Sequence, residues 1–117
     1  MGDSALGKLL VDGRGRTLYL FVPDKGPTST CYGACAVAWP PFLTTGAPVA
    51  GAGATASLIG TTNRTDGTVE VTYHGHPLYF WLGDAKPGDV SGQALDNAGG
   101  LWYVLNPAGD EVTTPAP

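Results

Sequence analysis

One short pattern occurs twice in this 117-residue chain, and it constrains the fold more than any other feature. The stretch TLYLFVPDKG, residues 17–26, is matched sixty positions later by PLYFWLGDAKPG, residues 77–88. A chain of this length forms one domain. Two copies are fewer than the three or more that open solenoids need. We therefore expect a single domain in which two halves close on each other around a pseudo-twofold axis.

Both repeated stretches have the residue pattern of strands that are covered on two sides. In the first copy Leu18 and Leu20 alternate with Tyr19 and Phe21, and the second copy repeats this alternation around Tyr79. Because successive side chains of a strand point to opposite faces, both faces of each strand are apolar. Either a two-layer core covers both faces, or the aromatic face is a stacking surface for a flat ligand or a glycan.

The composition favours short strands joined by turns over a helical bundle. The chain has 18 Gly and 10 Pro, and only 14% of its residues are charged. We predict an all-β fold of two pseudo-symmetric hairpin or meander repeats, packed as a small sandwich or a barrel-like domain, with one short helical segment near residues 31–39. The single domain spans residues 1–117 and divides into repeat 1 at about 8–45, a connection at about 46–66, repeat 2 at about 67–112 and a tail at 113–117.

The two cysteines indicate the compartment. Cys31 and Cys35 are the only cysteines and lie four residues apart, so one helical turn brings them side by side. Such a pair predicts one local disulfide in an oxidising space, with two buried free thiols as the alternative. Closing so short a loop stabilises a fold by only ~2 kcal/mol, so the bridge would mainly fix a loop. Ser29 or Thr30 is the expected cap of the helix.

The aspartates of the repeated pattern have a structural and a chemical interpretation. Asp24 and Asp84 each follow a strand after a break at Pro23 or Gly83. An aspartate in this position accepts hydrogen bonds from N–H groups of its own turn, which predicts an Asx-turn in each copy. A catalytic pair of carboxylates is the alternative interpretation.

The two histidines are the candidate metal ligands. His74 and His76 flank Gly75 in a predicted hairpin turn, and both imidazoles could reach one Cu(II) or Zn(II) ion. A tight turn could instead hold the two rings apart. Together with Cys31 and Cys35 they have the ligand count of a zinc site, although the spacing is not a standard one. The Cys-x-x-Cys-His sequence of a c-type haem is absent.

Charge and motif content argue against several classes of function. The net charge is −4 and the six basic residues are scattered, which excludes a nucleic-acid surface. No apolar run approaches the ~20 residues that span a bilayer. The first residues lack the pattern of a signal peptide, so we expect that a signal would have been removed on export. Neither a Gly-x-Ser-x-Gly elbow nor a phosphate-binding glycine loop is present.

The repeated pattern also resembles a known family. The motif that begins at Tyr19 and its copy at Tyr79 look like the Tyr-x-(Phe/Trp/Tyr)-x-x-Asp unit of the bacterial secreted-repeat lipoproteins, which carry it in tandem. The segment STCYGACAVAWPP is similar to the one that follows the first motif in that family. This resemblance covers about residues 10–112. It implies an extracellular or cell-envelope location, with any lipid anchor in the full-length precursor, and no established activity or catalytic residues.

These observations lead to one expectation of function and one alternative. We expect a non-catalytic secreted or cell-surface module, without a cofactor, that binds a cell-envelope protein, a glycan or a small ligand. The expected contact residues are Tyr19, Phe21, Asp24, Tyr79, Trp81 and Asp84. The alternative is an envelope protein that binds copper, zinc or haem through His74 and His76, for copper handling or electron transfer.

Overall fold

A computed structural model describes residues 2–4, 6–51 and 53–114, and it has the predicted all-β architecture of a small sandwich. The elements within these residues are β1 Gly2–Ser4, β2 Gly7–Leu9, β3 Tyr19–Phe21, α1 Ala34–Ala38, a 3-10 turn Ala56–Leu58, β4 Ile59–Asn63, β5 Val69–Tyr73, β6 His76–Pro77, β7 Leu95–Asn97, β8 Gly100–Leu105 and β9 Glu111–Val112. The helical segment expected near residues 31–39 is α1. Residues 115–117 of the expected tail lie outside the described residues.

Strand pairing joins the two repeats rather than keeping them apart. Strands β1 and β2 form a hairpin, β4, β5 and β6 form a second sheet, and β3 pairs with β8 in a third sheet that also contains β7 and β9. The antiparallel register places Tyr19 opposite Val104 and Phe21 opposite Trp102. A strand of the first repeat is therefore hydrogen-bonded to the last long strand of the second.

The two copies of the motif meet at their tyrosines. The backbone N–H of Tyr19 donates to the carbonyl of Tyr79 at 2.8 Å, and the N–H of Tyr79 donates to the carbonyl of Tyr19 at 3.0 Å. This reciprocal pair of bonds is the close pairing of an antiparallel ladder. It places the pseudo-twofold axis between the two tyrosines, as the internal repeat predicted.

Alternation along the strands divides the core into two layers. The layer on the aromatic face contains Leu9, Tyr19, Phe21, Cys31, Trp39, Tyr79, Trp102 and Val104. The layer on the aliphatic face contains Leu10, Leu18, Leu20, Val71, Tyr73, Leu78 and Leu105. Both faces of the repeated strands are thus covered by protein, which is the first of the two interpretations that the sequence allowed.

The predicted disulfide between Cys31 and Cys35 is confirmed, with Cα atoms 5.3 Å apart. The expected helix cap is wrong, because α1 follows Gly33 and has no side-chain cap. The side chain of Thr30 bonds to Asp24 instead, and that of Ser29 contacts the hydroxyl of Tyr79. The hydroxyl of Ser29 thus faces the interior of the domain, and that of Thr30 faces Asp24 rather than the first turn of the helix.

Strand β4 lies in the predicted connection between the repeats, and β7 lies in the stretch AKPGDVSGQALDNAGG, whose small, polar and Gly-rich composition predicts a long loop. Strand β4 pairs with β5 over its whole length, from Ile59 opposite Tyr73 to Asn63 opposite Val69. Its small residues allow close approach, because a Cβ atom added at Gly60 would lie 2.9 Å from the hydroxyl oxygen of Thr72. Strand β7 is short and pairs with β8. Small polar residues gave neither strand the apolar alternation that identifies strands in a sequence.

Candidate functional site

Each tyrosine of the motif is bonded to the aspartate of the other copy. The phenol of Tyr19 donates to Asp84 Oδ2 at 2.7 Å, and the phenol of Tyr79 donates to Asp24 Oδ2 at 2.7 Å. A charge-assisted bond of this length is among the stronger hydrogen bonds of a protein. The tyrosine–aspartate hydrogen bonds of the motif therefore form between the two copies and not within either of them.

The second oxygen of each aspartate holds the loop that follows the motif. Asp24 Oδ1 accepts from the N–H and the hydroxyl of Thr30, at 2.8 and 2.7 Å. Asp84 Oδ1 accepts from the N–H and the hydroxyl of Ser91, at 2.9 and 2.6 Å. These donors are six and seven residues away, so the predicted Asx-turns are wrong. Each carboxylate instead holds a longer loop with its Oδ1 atom, while its Oδ2 atom accepts from the tyrosine of the other repeat.

Burial and the neighbouring carboxylates keep both phenols protonated. Burial raises the pKa of Tyr19, and the hydrogen bond to Asp84 raises it further. Burial is also the main cause of the raised pKa of Tyr79, and the negative charge of Glu70 adds to it. Both hydroxyls therefore act as hydrogen-bond donors at any physiological pH.

The aromatic residues that follow the tyrosines form the ends of a continuous stack of four rings. In spatial order this aromatic stack consists of Phe21, Trp102, Trp39 and Trp81. The successive ring centroids are 4.1, 3.9 and 4.2 Å apart, and the central tryptophans are parallel to within 1°. Rings from the two repeats alternate along the stack, so it also joins the repeats.

The two tyrosine rings lie perpendicular to the central indoles of the stack. Tyr19 lies against Trp39 with centroids 5.4 Å apart, and Tyr79 lies against Trp102 at 5.1 Å. Edge-to-face contact of this kind is favourable because the positive ring edge meets the negative face. Each of these two perpendicular contacts joins rings of the same repeat, whereas each stacking contact joins rings of different repeats. Trp39 and Trp102 occupy comparable places in the two repeats, so this arrangement follows the internal repeat of the sequence.

A buried ion pair extends the polar network below Tyr79. Arg64 Nη1 donates to Glu70 Oε1 at 2.9 Å and to the hydroxyl oxygen of Ser29 at 3.0 Å. The side chains of both charged residues are almost fully buried. Burial raises the pKa of Glu70 to about 8, although Arg64 opposes the rise. No pattern in the sequence marks this pair, because Arg64 is only one of six scattered basic residues.

The six residues that were expected to contact a ligand differ in accessibility. Tyr19 and Tyr79 are fully buried, and Phe21 and Asp24 are also in the interior. The side chains of Trp81 and Asp84 are partly exposed. The folded protein therefore offers no exposed aromatic platform at the motif itself. The contact role of the six residues stays a prediction, for which Trp81 and Asp84 remain accessible.

The histidines lie in a tight turn that holds their rings apart. His74 has a backbone φ of 52° and Gly75 a φ of 79°, as a two-residue hairpin turn requires. The ring centroids are 6.2 Å apart and the ring planes are inclined at 84°. Burial lowers the pKa of His76, and the charge of His74 lowers it further. Within the described residues, no three His, Cys, Asp or Glu side chains group as ligands of a metal, and the metal role of the pair stays a prediction.

A cavity of about 560 Å³ opens on the aliphatic side of the core. Its walls come from the turn segment 10–18, from the segment 42–51 with Ala54, and from strands β4 and β5. The apolar residues of its lining are Leu10, Val11, Leu18, Phe42, Leu43, Pro48, Val49, Ala54, Ile59, Val71 and Leu78. The volume is within the range of pockets that enclose small organic ligands. Sequence reasoning missed this site, because its outer wall is a stretch of small residues that resembled a plain connection.

Comparison with known proteins identifies the repeats. The family model described as "Secreted repeat of unknown function" matches residues 2–42 and again residues 60–106. The chain belongs to this family of secreted repeats. The two matches confirm that the chain consists of two tandem units, and each contains one copy of the motif. No curated protein and no solved structure shows a significant match to the chain.

Membership of the family bears on location. The family is described as secreted, which assigns the chain to the extracellular space or the cell envelope. The disulfide agrees with this assignment, because such bridges persist in oxidising compartments. Among the described residues, no helix has the length and apolar character needed to cross a membrane.

Proposed function

We propose that this secreted-repeat protein is a non-catalytic binding module that holds a small apolar molecule in the 560 Å³ cavity. The observation that carries the proposal is the cavity itself, which lies against the aliphatic layer of the core. A concave and mostly apolar pocket of this size is the default binding site of a protein without other recognised sites. The motif then has the structural role of joining the repeats that form the cavity.

The polar groups around the cavity favour an apolar ligand over a glycan. Both carboxylate oxygens of Asp12 accept bonds from the turn at Arg14 and Arg16. The hydroxyl of Tyr73 donates to the carbonyl of Pro107 and accepts from the N–H of Thr55. A sugar needs polar partners that are not already committed, whereas an apolar molecule needs only buried surface.

The rim of the cavity adds exposed apolar surface. Leu43 is 44% exposed and Val49 is 90% exposed, and both belong to the lining. Val49 lies in the segment between the repeats, next to the small residues Gly51 and Ala54. An apolar ligand would cover part of this surface on binding, at about 25 cal/mol for each Å² removed from water. This gain would favour binding without any new hydrogen bond.

The test is binding of the uncharged fluorophore N-phenyl-1-naphthylamine, followed by its fluorescence increase. In the variant Ala54→Phe a large side chain enters the cavity, and we expect a loss of affinity of at least tenfold, or about 1.4 kcal/mol. The matched control is Ala47→Phe, which adds the same ring to an exposed position outside the lining and should bind as the unmodified protein does. No binding to the unmodified protein, or equal binding to Ala54→Phe, would refute the proposal.

A further inference from the structure

We propose that the aromatic stack is a one-electron relay, which carries an oxidising equivalent from Trp81 at the surface to Tyr19 and Tyr79 in the core. This function goes beyond ligand binding, and it uses the aromatic layer rather than the cavity. It rests on three features of the described residues. They are the continuity of the stack, the carboxylates next to the phenols and the difference between the two ends of the stack.

Continuity is the first requirement of a relay. The centroids of Trp81 and Trp39 are 4.2 Å apart, and those of Trp39 and Trp102 are 3.9 Å apart. The rings are therefore in van der Waals contact, with their π-systems overlapping and no side chain between them. Indole is the most easily oxidised of the ring systems in this stack, so three adjacent indoles can pass a radical cation from one to the next.

The two ends of the stack differ in how easily their rings are oxidised. The motif places Trp81 at one end and Phe21 at the equivalent position in the other copy. Trp81 is partly exposed, whereas Phe21 is only 4% exposed and a phenyl ring is much harder to oxidise. An external oxidant therefore has access to the stack at Trp81. The relay runs inward from this end.

The N–H groups of the two inner indoles, Trp39 and Trp102, favour transfer over trapping of the charge. Trp39 Nε1 donates to the side-chain carbonyl oxygen of Asn97 at 3.1 Å, and Trp102 Nε1 donates to its backbone carbonyl at 3.0 Å. Amide oxygens are poor proton acceptors, so an oxidised indole keeps its proton and its positive charge. The charge then remains free to move to a neighbour.

The phenols are the end points, because each has a base in place. Tyr79 lies edge-on to Trp102 and bonds to Asp24, and Tyr19 lies edge-on to Trp39 and bonds to Asp84. When a phenol gives its electron to the neighbouring indole radical cation, its proton passes to the carboxylate. The products are a neutral tyrosyl radical, a protonated carboxyl group and a restored indole.

The complete step balances with one external reactant. A one-electron oxidant stronger than the indole radical cation, such as a trivalent ruthenium polypyridyl complex, takes one electron at Trp81. The net result is a reduced oxidant, one tyrosyl radical and one protonated aspartate. A solution reductant then returns an electron to the tyrosyl radical, and the carboxyl group returns the proton.

The experiment is laser flash-quench oxidation of the disulfide-intact protein by tris(bipyridine)ruthenium(III), with transient absorption and electron paramagnetic resonance. We expect an indole radical that decays as a tyrosyl radical forms, with slower formation in deuterated water. In Trp81→Phe most of the tyrosyl yield should be lost. The control Phe80→Leu removes a neighbouring ring outside the stack and should retain the yield. Circular dichroism of each variant confirms its fold.

A second variant tests whether the two aspartates are the bases that allow the tyrosyl radical to form. Replacing both carboxylates, as Asp24→Asn with Asp84→Asn, removes the bases, and we expect oxidation to stop at the indole radical. If this variant does not fold, the unmodified protein still decides. A tyrosyl radical that forms without a preceding indole radical overturns the relay, as does an absent tyrosyl radical. A tyrosyl yield that survives in folded Trp81→Phe overturns it as well.

Discussion

The phenol of Tyr79 donates a 2.7 Å hydrogen bond to the carboxylate of Asp24, which precedes it by 55 residues and belongs to the other repeat. The reciprocal bond joins Tyr19 to Asp84 at the same length. Within one copy the tyrosine and the aspartate are five residues apart, yet each finds its partner in the other copy. A single copy would therefore leave both groups without these partners, which explains why the unit occurs in tandem here.

Removing one phenol should destabilise the fold more than its size suggests. In Tyr79→Phe the buried Oδ2 of Asp24 loses its donor, and an unsatisfied buried group costs roughly 1–3 kcal/mol. The measurement is the free energy of unfolding in urea. The control is Tyr103→Phe, since that hydroxyl has no hydrogen-bond partner among the described residues, and a change within about 0.5 kcal/mol is expected. Equal losses in the two variants would contradict the role of the bond.

The close packing of the aromatic stack makes Gly92 sensitive to a single methyl group. A Cβ atom at this position would lie 2.8 Å from Trp39 Cη2 and 3.1 Å from Trp81 Cγ. We expect Gly92→Ala to cost about 1–3 kcal/mol and to weaken the near-ultraviolet circular dichroism of the tryptophans. Gly46→Ala is the matched control, because nothing lies within 4 Å of its added Cβ atom. An unchanged spectrum and stability in Gly92→Ala would refute the packing described here.

The disulfide should contribute little to global stability. The bridge from Cys31 to Cys35 closes a loop with a sequence separation of 4, for which loop entropy gives about 2 kcal/mol. We expect the double variant Cys31→Ala with Cys35→Ala to unfold cooperatively at a lower urea concentration. Its far-ultraviolet spectrum should be that of the unmodified protein. A chain that no longer unfolds cooperatively without the bridge would show that the disulfide holds the whole fold together.

The buried Glu70 predicts a fall in stability as the pH rises. Its pKa is raised from 4.5 to about 8 in the folded state, so the folded protein retains a proton that the unfolded chain releases. The contribution is complete below the unfolded pKa and is lost as the pH rises through about 8. His76 acts in the opposite direction, because its lowered pKa makes folding more favourable as the pH rises through 6.5.

The variant Glu70→Gln isolates this effect from that of His76. At pH 5 its stability should be close to that of the unmodified protein, because glutamine is the neutral isostere of the protonated carboxyl group that faces Arg64. The decline in its unfolding free energy between pH 5 and about 8 should be smaller than in the unmodified protein. Urea unfolding at several pH values provides the comparison. Parallel pH profiles for the two proteins would assign the decline to other groups.

The fold could be predicted from the sequence where the pattern was local. Alternation from Leu18 to Phe21 identified a strand with two apolar faces, and the spacing of Cys31 and Cys35 identified a disulfide. Strand β4 was missed, because its small polar residues owe their conformation to pairing with β5. Pairing of this kind depends on contacts distant in sequence, which no local pattern contains.

The site could be predicted only in part, for the same physical reason. The sequence predicts that each aspartate accepts hydrogen bonds from its own turn, but the Oδ2 atom of each accepts from a tyrosine of the other repeat. Arg64 and Glu70 had no pattern that marked them for burial, since charged residues are normally exposed. The cavity depends on how a segment of small residues lies over the aliphatic layer, and its composition does not reveal that placement.

The exchange of partners between repeats is the central claim, and a pair of double-mutant cycles in urea unfolding tests it most directly. Tyr19→Phe with Asp84→Asn should show a coupling energy of about 0.5–3 kcal/mol, because these two residues share a hydrogen bond. Tyr19→Phe with Asp24→Asn, the pair within one copy of the motif, should be closer to additive. A stronger coupling within the copy than between the copies would contradict the account.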